Sequence, residues 1–300
     1  MKSNYEVIIV GGSYAGLSAA LALGRSLREV LIIDSGLPCN RQTPHSHNFI
    51  TQDGVPPAEI AAIAREQVLQ YKNVNFITDL VVSANKVKEG FQLETKSGKS
   101  YFASKVIFAT GVKDEIPQIK GFSQCWGISL IHCPYCHGYE FRNNKTGIMA
   151  NGERAFHLAS LVRNLTDQLY ILTNGKANFT PEQRSKLDEH HISVIESQIS
   201  HLKHYKGHLQ RIVFKSQQMM GFDALYAAFP FRQHCELPEL LGCQLTEHGY
   251  IKIDEFQRTT VEGLYACGDN STMMRSVAAS VSSGNLAGAM ANADLTKEQF

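Results

Sequence analysis

Glu6-Val7-Ile8-Ile9-Val10-Gly11-Gly12-Ser13-Tyr14-Ala15-Gly16 is the stretch that decides the fold. Glu6 to Val10 reads as a buried strand, and the glycine turn runs straight into the small, apolar helical pattern Leu17 to Leu23. A second apolar strand, Val30 to Asp34, ends in an acid. Strand, glycine turn, helix and strand at this spacing make a βαβ unit with a parallel sheet. Gly11, Ser13 and Gly16 stand at the three positions of a G-x-G-x-x-G fingerprint. The first position permits a tight turn, the third lets helix pack on strand, and the middle one lets backbone approach a pyrophosphate at the helix N-terminus. Ser13 departs from glycine there, but it is small and adds a hydroxyl donor. Asp34 lies where a carboxylate accepts a hydrogen bond from a ribose hydroxyl. An acid favours a free 2′-hydroxyl, which suits FAD or NAD and not NADP. The plainer alternative is that the glycines only terminate a strand, but every neighbouring element agrees with dinucleotide binding.

Working outward, a polar loop without regular structure is expected from Ser35 to Asp53, then a helix opened by Pro56-Pro57 and running through Ile60, Ile63 and Val68. Val74 to Ile77, Phe91 to Glu94 and Val106 to Thr110 read as strands. A second βαβ-like pattern begins at Gly147-Ile148-Met149, turns at Asn151-Gly152, continues as a helix through Ala155, Leu158 and Leu161, and reaches a strand over Gln168 to Thr173. Two mononucleotide-type units imply tandem or nested α/β domains. The chain crosses between them near Asp114-Glu115-Ile116-Pro117 and near Gly242 to Gly249.

The chain has 300 residues, is 43% hydrophobic and 19% charged, and carries a formal charge of +1, which leaves no basic footprint for nucleic acid or an anionic membrane. Neither a signal-peptide core after Met1 nor an apolar run long enough to span a bilayer is visible, so a cytoplasmic location is expected. In that reducing setting paired cysteines are more often catalytic or metal-binding than structural.

One close pair occurs among the seven cysteines, in His132-Cys133-Pro134-Tyr135-Cys136-His137-Gly138. Zinc wants a second close pair, which Cys235 and Cys243 do not form. The string also matches a c-type haem attachment site, but haem needs export and room for the macrocycle. Two buried structural cysteines are the bland reading. A redox dithiol explains more: one thiolate attacks a disulfide and its neighbour within one turn resolves the mixed disulfide. A helix N-terminus would lower the thiol pKa, and His137 titrates near neutrality and can move the proton. His132 is a second candidate, better suited to positioning.

Taken together, the two nucleotide units and the dithiol resemble the low-molecular-weight thioredoxin reductase family of flavoproteins over nearly the whole chain. Ala109-Thr110-Gly111 is similar to that family's strand-ending A-T-G, where the second domain is inserted, and Thr259 to Asp269 is similar to its second flavin motif. The resemblance implies two nested Rossmann-like α/β domains: a discontinuous FAD-binding domain over 1–113 and 244–300, and an inserted NAD(P)H-type domain over 114–243 carrying the dithiol. It implies an FAD site from Gly11, Ser13, Gly16, Asp34, Thr110, Gly111 and Gly268. Asp269 is then placed on the ribityl chain, and a helix starting near Arg275 with Ser276, Val277 and Ala278 points at the ring. Arg275 reads equally well as a solvated charge. The resemblance further implies that Cys136 lies against the flavin, Cys133 meets substrate and His137 is the acid/base.

Two departures matter. Thioredoxin reductases proper carry an acid after the second cysteine, whereas Cys133-Pro134-Tyr135-Cys136-His137 is similar to a subgroup with the gliotoxin- and holomycin-type dithiol oxidases. The second turn, Ala150-Asn151-Gly152-Glu153-Arg154-Ala155, and the strand end Thr173-Asn174-Gly175 lack the basic cluster that reads NADPH, with Lys176 a lone candidate. The expected activity is electron transfer between NADPH, FAD and the Cys133/Cys136 dithiol to a thioredoxin-like protein or small-molecule disulfide, by a homodimer. The alternatives are a small-molecule dithiol oxidase using oxygen, and a flavin redox sensor without catalysis. No metal is expected, including at His45-x-His47, a stretch that the resemblance places around the flavin. His190-His191 read as the solvent side of a polar helix. Cys39, Cys125, Cys235, Cys243 and Cys267 read as buried small apolar groups, and Phe122 and Trp126 as core or groove lining.

Overall fold

The computed structural model describes residues 2–300; Met1 lies outside the described residues. The chain folds into two compact units, one of 1–41, 55–113 and 231–300 and one of 42–54 and 114–230. The second crossing falls after Pro230, whereas sequence reasoning draws it between 243 and 244. The physical reason is core membership: Leu237, Cys243 and Ile251 are buried with Phe91, Val106 and Phe108 of the first unit.

In the first unit, β1 (Asn4–Val10), β2 (Val30–Asp34), β3 (Val74–Thr78), β6 (Ser100–Phe108) and β17 (Leu264–Ala266) form a parallel sheet in the order β3-β2-β1-β6-β17. One edge of β6 is shared along its length. β17 pairs with Val106–Phe108, and β5 (Gly90–Thr95) pairs antiparallel with the stretch before it, followed by β4 (Val81–Val87). Val7 to Ile9 and Val30 to Ile32 are fully buried, as expected for strands covered on both faces. α1 (Tyr14–Arg25) and the long α8 (Val277–Gln299) cover one face through Ala15, Ala19, Ala20, Ala287 and Ala291. Their approach is so close that a Cβ on Gly284 would strike Ala15 O and one on Gly288 would strike Ala19 O. α2 (Pro57–Leu69) opens on proline as expected. β7 (Val112–Asp114) and β16 (Phe231–Gln233) make a two-stranded ribbon, and α7 (Leu237–Leu240) follows.

The second unit begins with α3 (Phe122–Cys125), β8 (Leu130–Ile131) and α4 (Pro134–His137), a single helical turn. β9 (Thr146–Met149), α5 (Gly152–Val162), β10 (Leu169–Leu172), α6 (Pro181–Glu189) and β11 (Ser193–Ile195) continue it. A meander of β12 (Ile199–Tyr205), β13 (His208–Phe214) and β14 (Met219–Gly221) precedes β15 (Ala224–Ala227). The parallel sheet runs β11-β10-β9-β15-β8, with Ile148, Ile171 and Ala155 in one core layer and Phe122, Phe214 and Leu225 in the other. Thr180 and Gln183 close a capping box that fixes the start of α6.

Each unit is thus a Rossmann-like α/β layer structure, and the mixed α/β class follows the sequence pattern. Several details differ from sequence expectation. β6 ends at Phe108, short of Thr110, and Gly111 turns with positive φ. His190 and His191 are exposed but lie past the end of α6. Cys39 is exposed and Cys235 half-buried, while Cys125, Cys243 and Cys267 are buried. Among the described residues no helix is long and apolar enough to cross a membrane.

Candidate active site

In the first unit the fingerprint residues gather at the carboxyl ends of β1, β2, β6 and β17, where open α/β sheets bind ligands. Gly11 has φ +105°, and a Cβ there would strike Ala109 O; a Cβ on Gly16 would strike Gly11 O. No other residue fits either place. Ser13 is the N-cap of α1, its side chain makes no capping hydrogen bond, and the first turn holds no acid. Asp34 accepts from Gly12 N at 2.9 Å and from Gly36 N at 3.1 Å, so it braces the turn as well as ending β2.

Gly268 follows β17, takes φ +80° and donates its N–H to Ser283 Oγ at 3.0 Å. Asp269 lies 3.5 Å from Arg275 Nε through Oδ2 and accepts from Ser280 Oγ at 3.5 Å. Arg275 is therefore an ion-pair partner, not a solvated charge. Ser276 caps α8 by accepting from Ala279 N, and it leaves the N–H groups of Val277 and Ala278 uncapped by its side chain. Sequence reasoning missed Asn270. This residue is fully buried and donates to Phe108 O and Thr110 Oγ1, yet its Oδ1 has no hydrogen-bond partner among the described residues.

In the second unit β8 delivers the chain to Cys133, the N-cap of α4, with Pro134 preset at the first helical position. The Cys133 and Cys136 sulfurs lie 2.6 Å apart, so the pair can close on itself with little movement. With four residues, α4 has too few aligned peptides to supply the helix-dipole activation expected from sequence. The charge chemistry comes from elsewhere.

His137 is the source. It is half-buried, and burial pushes its pKa below the ordinary histidine value; the neighbouring His47 pushes the same way, and Glu140 and a backbone hydrogen bond at His45 oppose. Its Nε2 is buried without a hydrogen-bond partner among the described residues. The His47 ring meets it edge-on with centroids 6.3 Å apart. His47 Nε2 in turn lies 3.5 Å from Glu140 Oε1, and its Nδ1 lies 3.7 Å from Asp53 Oδ1. Glu140, His47 and His137 form a line of titratable groups ending beside the dithiol. The loop holding His47 packs with the second unit.

Tyr226 on β15 pairs in register with Ile131, and its Oη would lie 3.0 Å from a Cβ on Gly138. Burial raises its pKa, and the nearby Cys133 and Glu140 raise it further. His132 sits against Trp126, centroids 6.2 Å apart, in a cluster with Phe122 and Phe229. Tyr135 and Tyr139, 69% and 66% exposed, flank the dithiol with aromatic surface. Among the described residues no group of three metal-ligating side chains forms.

A dinucleotide cradle in one Rossmann-like unit and a dithiol with a half-buried histidine beside it in another define a flavin-type disulfide oxidoreductase. The chain matches the model of the pyridine nucleotide-disulphide oxidoreductase family over residues 5–284. It is 31% identical to thioredoxin reductase tcpT of Claviceps purpurea, over 97% of this chain and 94% of that protein. It superimposes on TrxB from Bacillus anthracis with a TM-score of 0.94 at 32% identity, covering 99% and 100% of the two chains. For HlmI the TM-score is 0.92 at 28% identity, covering 100% and 95%. The chain belongs to the pyridine nucleotide-disulphide oxidoreductase family, in its thioredoxin reductase-like branch.

It is an FAD-dependent oxidoreductase acting on disulfides, from a family that uses FAD and NADPH. The first unit fits FAD. Its cradle excludes side chains at Gly11 and Gly16, the first turn of α1 has no acid to repel a pyrophosphate, and the buried Asn270 Oδ1 can take a donor.

Proposed function

We propose that the protein passes electrons from a nicotinamide nucleotide through FAD to the Cys133/Cys136 dithiol and on to a disulfide substrate. The observation that carries the reading is His137, a half-buried histidine with its Nε2 enclosed, held toward its neutral form immediately beside a pair of touching sulfurs. FAD supplies two-electron exchange between nicotinamide and dithiol when bound. The chain's own residues do the rest. Cys133 as thiolate attacks one substrate sulfur, forming a mixed disulfide and releasing the other sulfur as a thiolate. Cys136 then attacks Cys133 Sγ, the mixed disulfide breaks, and the substrate leaves as a dithiol with Cys133 and Cys136 oxidised to a disulfide. His137 takes the Cys136 proton and gives it to the departing sulfur. Gly11, Ser13, Gly16 and Asp34 hold the adenosine diphosphate half of FAD. Thr110, Gly111, Gly268, Asp269 and the start of α8 hold the ribityl and ring. The functional form is a homodimer, and the substrate is a thioredoxin-like protein or a small-molecule disulfide.

A second reading is favoured by one specific feature. A neutral base where thioredoxin reductases proper carry an acid suits the reverse flow, in which His137 takes a proton from a small dithiol and oxygen is the final acceptor. Anaerobic titration of the purified holoprotein separates the two. Bleaching of the flavin band by NADPH or NADH supports the reductase; bleaching by dithiols alone, with peroxide formed on admitting air, supports the oxidase. Full turnover in Cys136→Ser removes both.

A further inference from the structure

A cavity of about 360 Å³ opens over the carboxyl ends of β9, β10 and β15, lined by Ala150, Asn151, Arg154, Thr173, Asn174 and Phe229 among others. It is the place where a mononucleotide unit takes its ligand, with the end of the second strand, here Thr173 and Asn174, reading the ribose. A 2′-phosphate needs a cation or several free donors at that position. None is built in. Asn151 spends both ends of its amide on the chain, its Oδ1 accepting from Gly152 N and Asn178 N at 2.8 Å each and its Nδ2 donating to Lys176 O at 2.9 Å. Thr173 Oγ1 donates to Gly175 O at 2.6 Å, and Asn174 Oδ1 accepts from Ile199 N at 2.7 Å. The loop after β10 is thereby laced to the start of α5.

The cavity has one cation. Arg154, in the first turn of α5, is tethered by a 3.1 Å hydrogen bond from Nη1 to Ala228 O on the opposite wall. The acid beside it, Glu153, accepts from Gln183 Nε2 at 2.6 Å. The charge available for recognition is therefore placed on the α5 side, next to a helix N-terminus, and not at the ribose end.

We propose that Arg154 is the phosphate reader of this site and that the site recognises the diphosphate common to NADH and NADPH without selecting the 2′-phosphate. The inference rests on the reading of the second unit as the nicotinamide unit, and it deepens that reading by naming what is recognised. NADH and NADPH then serve as equivalent donors, set by their concentrations and not by the protein.

Equilibrium binding of NAD⁺, NADP⁺, ADP-ribose and 2′-phospho-ADP-ribose to the oxidised holoprotein at fixed ionic strength tests this. A charge-assisted 2′-phosphate contact would favour the phosphorylated ligand by at least about tenfold. The expected result is equal affinity within about threefold in each pair, and an Arg154→Gln loss of about tenfold for all four ligands alike. A preference for NADP⁺ above about tenfold overturns the proposal, above all if Lys176→Ala abolishes it. Unchanged binding in Arg154→Gln overturns it, and so does failure of every ligand to bind. If no nucleotide binds while dithiols still bleach the flavin, this inference falls and the dithiol chemistry of Cys133 and Cys136 stands.

Discussion

The rings of His47 and His137 meet edge-on with their centroids 6.3 Å apart, although ninety residues of chain separate them. Two histidines this close resist being protonated together. Burial already disfavours the charged form of His137, and His47, which lies next to Glu140 and Asp53, adds to that effect. His137 is thereby kept as a base at neutral pH.

Replacing His47 by Gln removes that repulsion, and the pKa of His137 is expected to rise. The unfolded chain binds the His137 proton more readily than the folded one, so the native state loses stability as pH falls through the ordinary histidine value near ~6.5. In His47→Gln that acid loss becomes smaller, while the acid limb of the pH–rate profile moves to higher pH. Glu140→Gln, which removes an interaction opposing the shift, is expected to move the limb the other way. Histidine ring titration by NMR checks both, and an unmoved His137 in both variants would refute the coupling.

Tyr226→Phe removes one oxygen that packs at Gly138 and interacts electrostatically with Cys133. If that hydroxyl serves the reduced pair, it does so by favouring the Cys133 thiolate electrostatically. Its loss is expected to slow alkylation of Cys133 at neutral pH by about two- to tenfold, with little effect at a pH where the thiol is fully ionised. Mass-spectrometric quantification of alkylated Cys133 against pH reads this directly.

Sequence pattern carried some of these elements and not others, for physical reasons. The β1–α1–β2 unit was legible because apolar runs buried on both faces and a glycine turn are local signals. The start of α8 near Ser276 and Val277 came from the family resemblance and not from a local signal; Ser276 is its N-cap. The meander β12–β14 was not legible. Register shifts at Ile199/His201 and Lys203/His204 break the alternation, and histidine and lysine fill its solvent side. His47 at the dithiol was invisible because its partner is fixed by the return of a loop, and no spacing encodes that. The identity of Cys133 and Cys136 as a working pair came from spacing, but their activating neighbours did not.

Close packing of α1 on α8 gives a stability prediction. Gly284→Ala would drive a Cβ into Ala15 O, and backbone cannot move aside as a flexible side chain can. A loss of about 1–3 kcal/mol is expected, with flavin retention falling in parallel because Ala15 belongs to the fingerprint helix. Ala293→Ser, on the exposed side of the same helix, is the control. Denaturant titration and flavin content after gel filtration measure the two effects.

The far end of α8 is held by Asp294. It accepts from Arg258 through Nε and Nη2 at 2.8 Å each and from Tyr265 Oη at 2.5 Å. The Arg258 guanidinium holds this carboxyl below the usual aspartate range against the opposing effect of burial. A lowered folded pKa means stability that is present above the unfolded value and lost as pH falls through the folded one. Asp294→Asn is expected to cost about 1–3 kcal/mol at neutral pH and to flatten the acid side of the stability curve. Urea unfolding between neutral and strongly acid pH tests it, and parallel curves for variant and parent would count against the assignment.

Asp269 offers the most direct test of the flavin cradle. Its carboxylate lies 3.5 Å from Arg275 on one oxygen and 3.5 Å from Ser280 on the other, beside the start of α8. If those oxygens serve the ribityl chain, Asp269→Ala loses flavin outright. Asp269→Asn keeps one acceptor oxygen and retains part of it. Arg275→Ala separates bracing from binding: it takes the cation away from the carboxylate, so flavin should remain bound although the loop before α8 becomes less protected from hydrogen exchange. Stoichiometric flavin in purified Asp269→Ala, read from the absorbance ratio, would show that the cradle is built from other groups, with Asn270 and the uncapped N–H groups of α8 the next to vary.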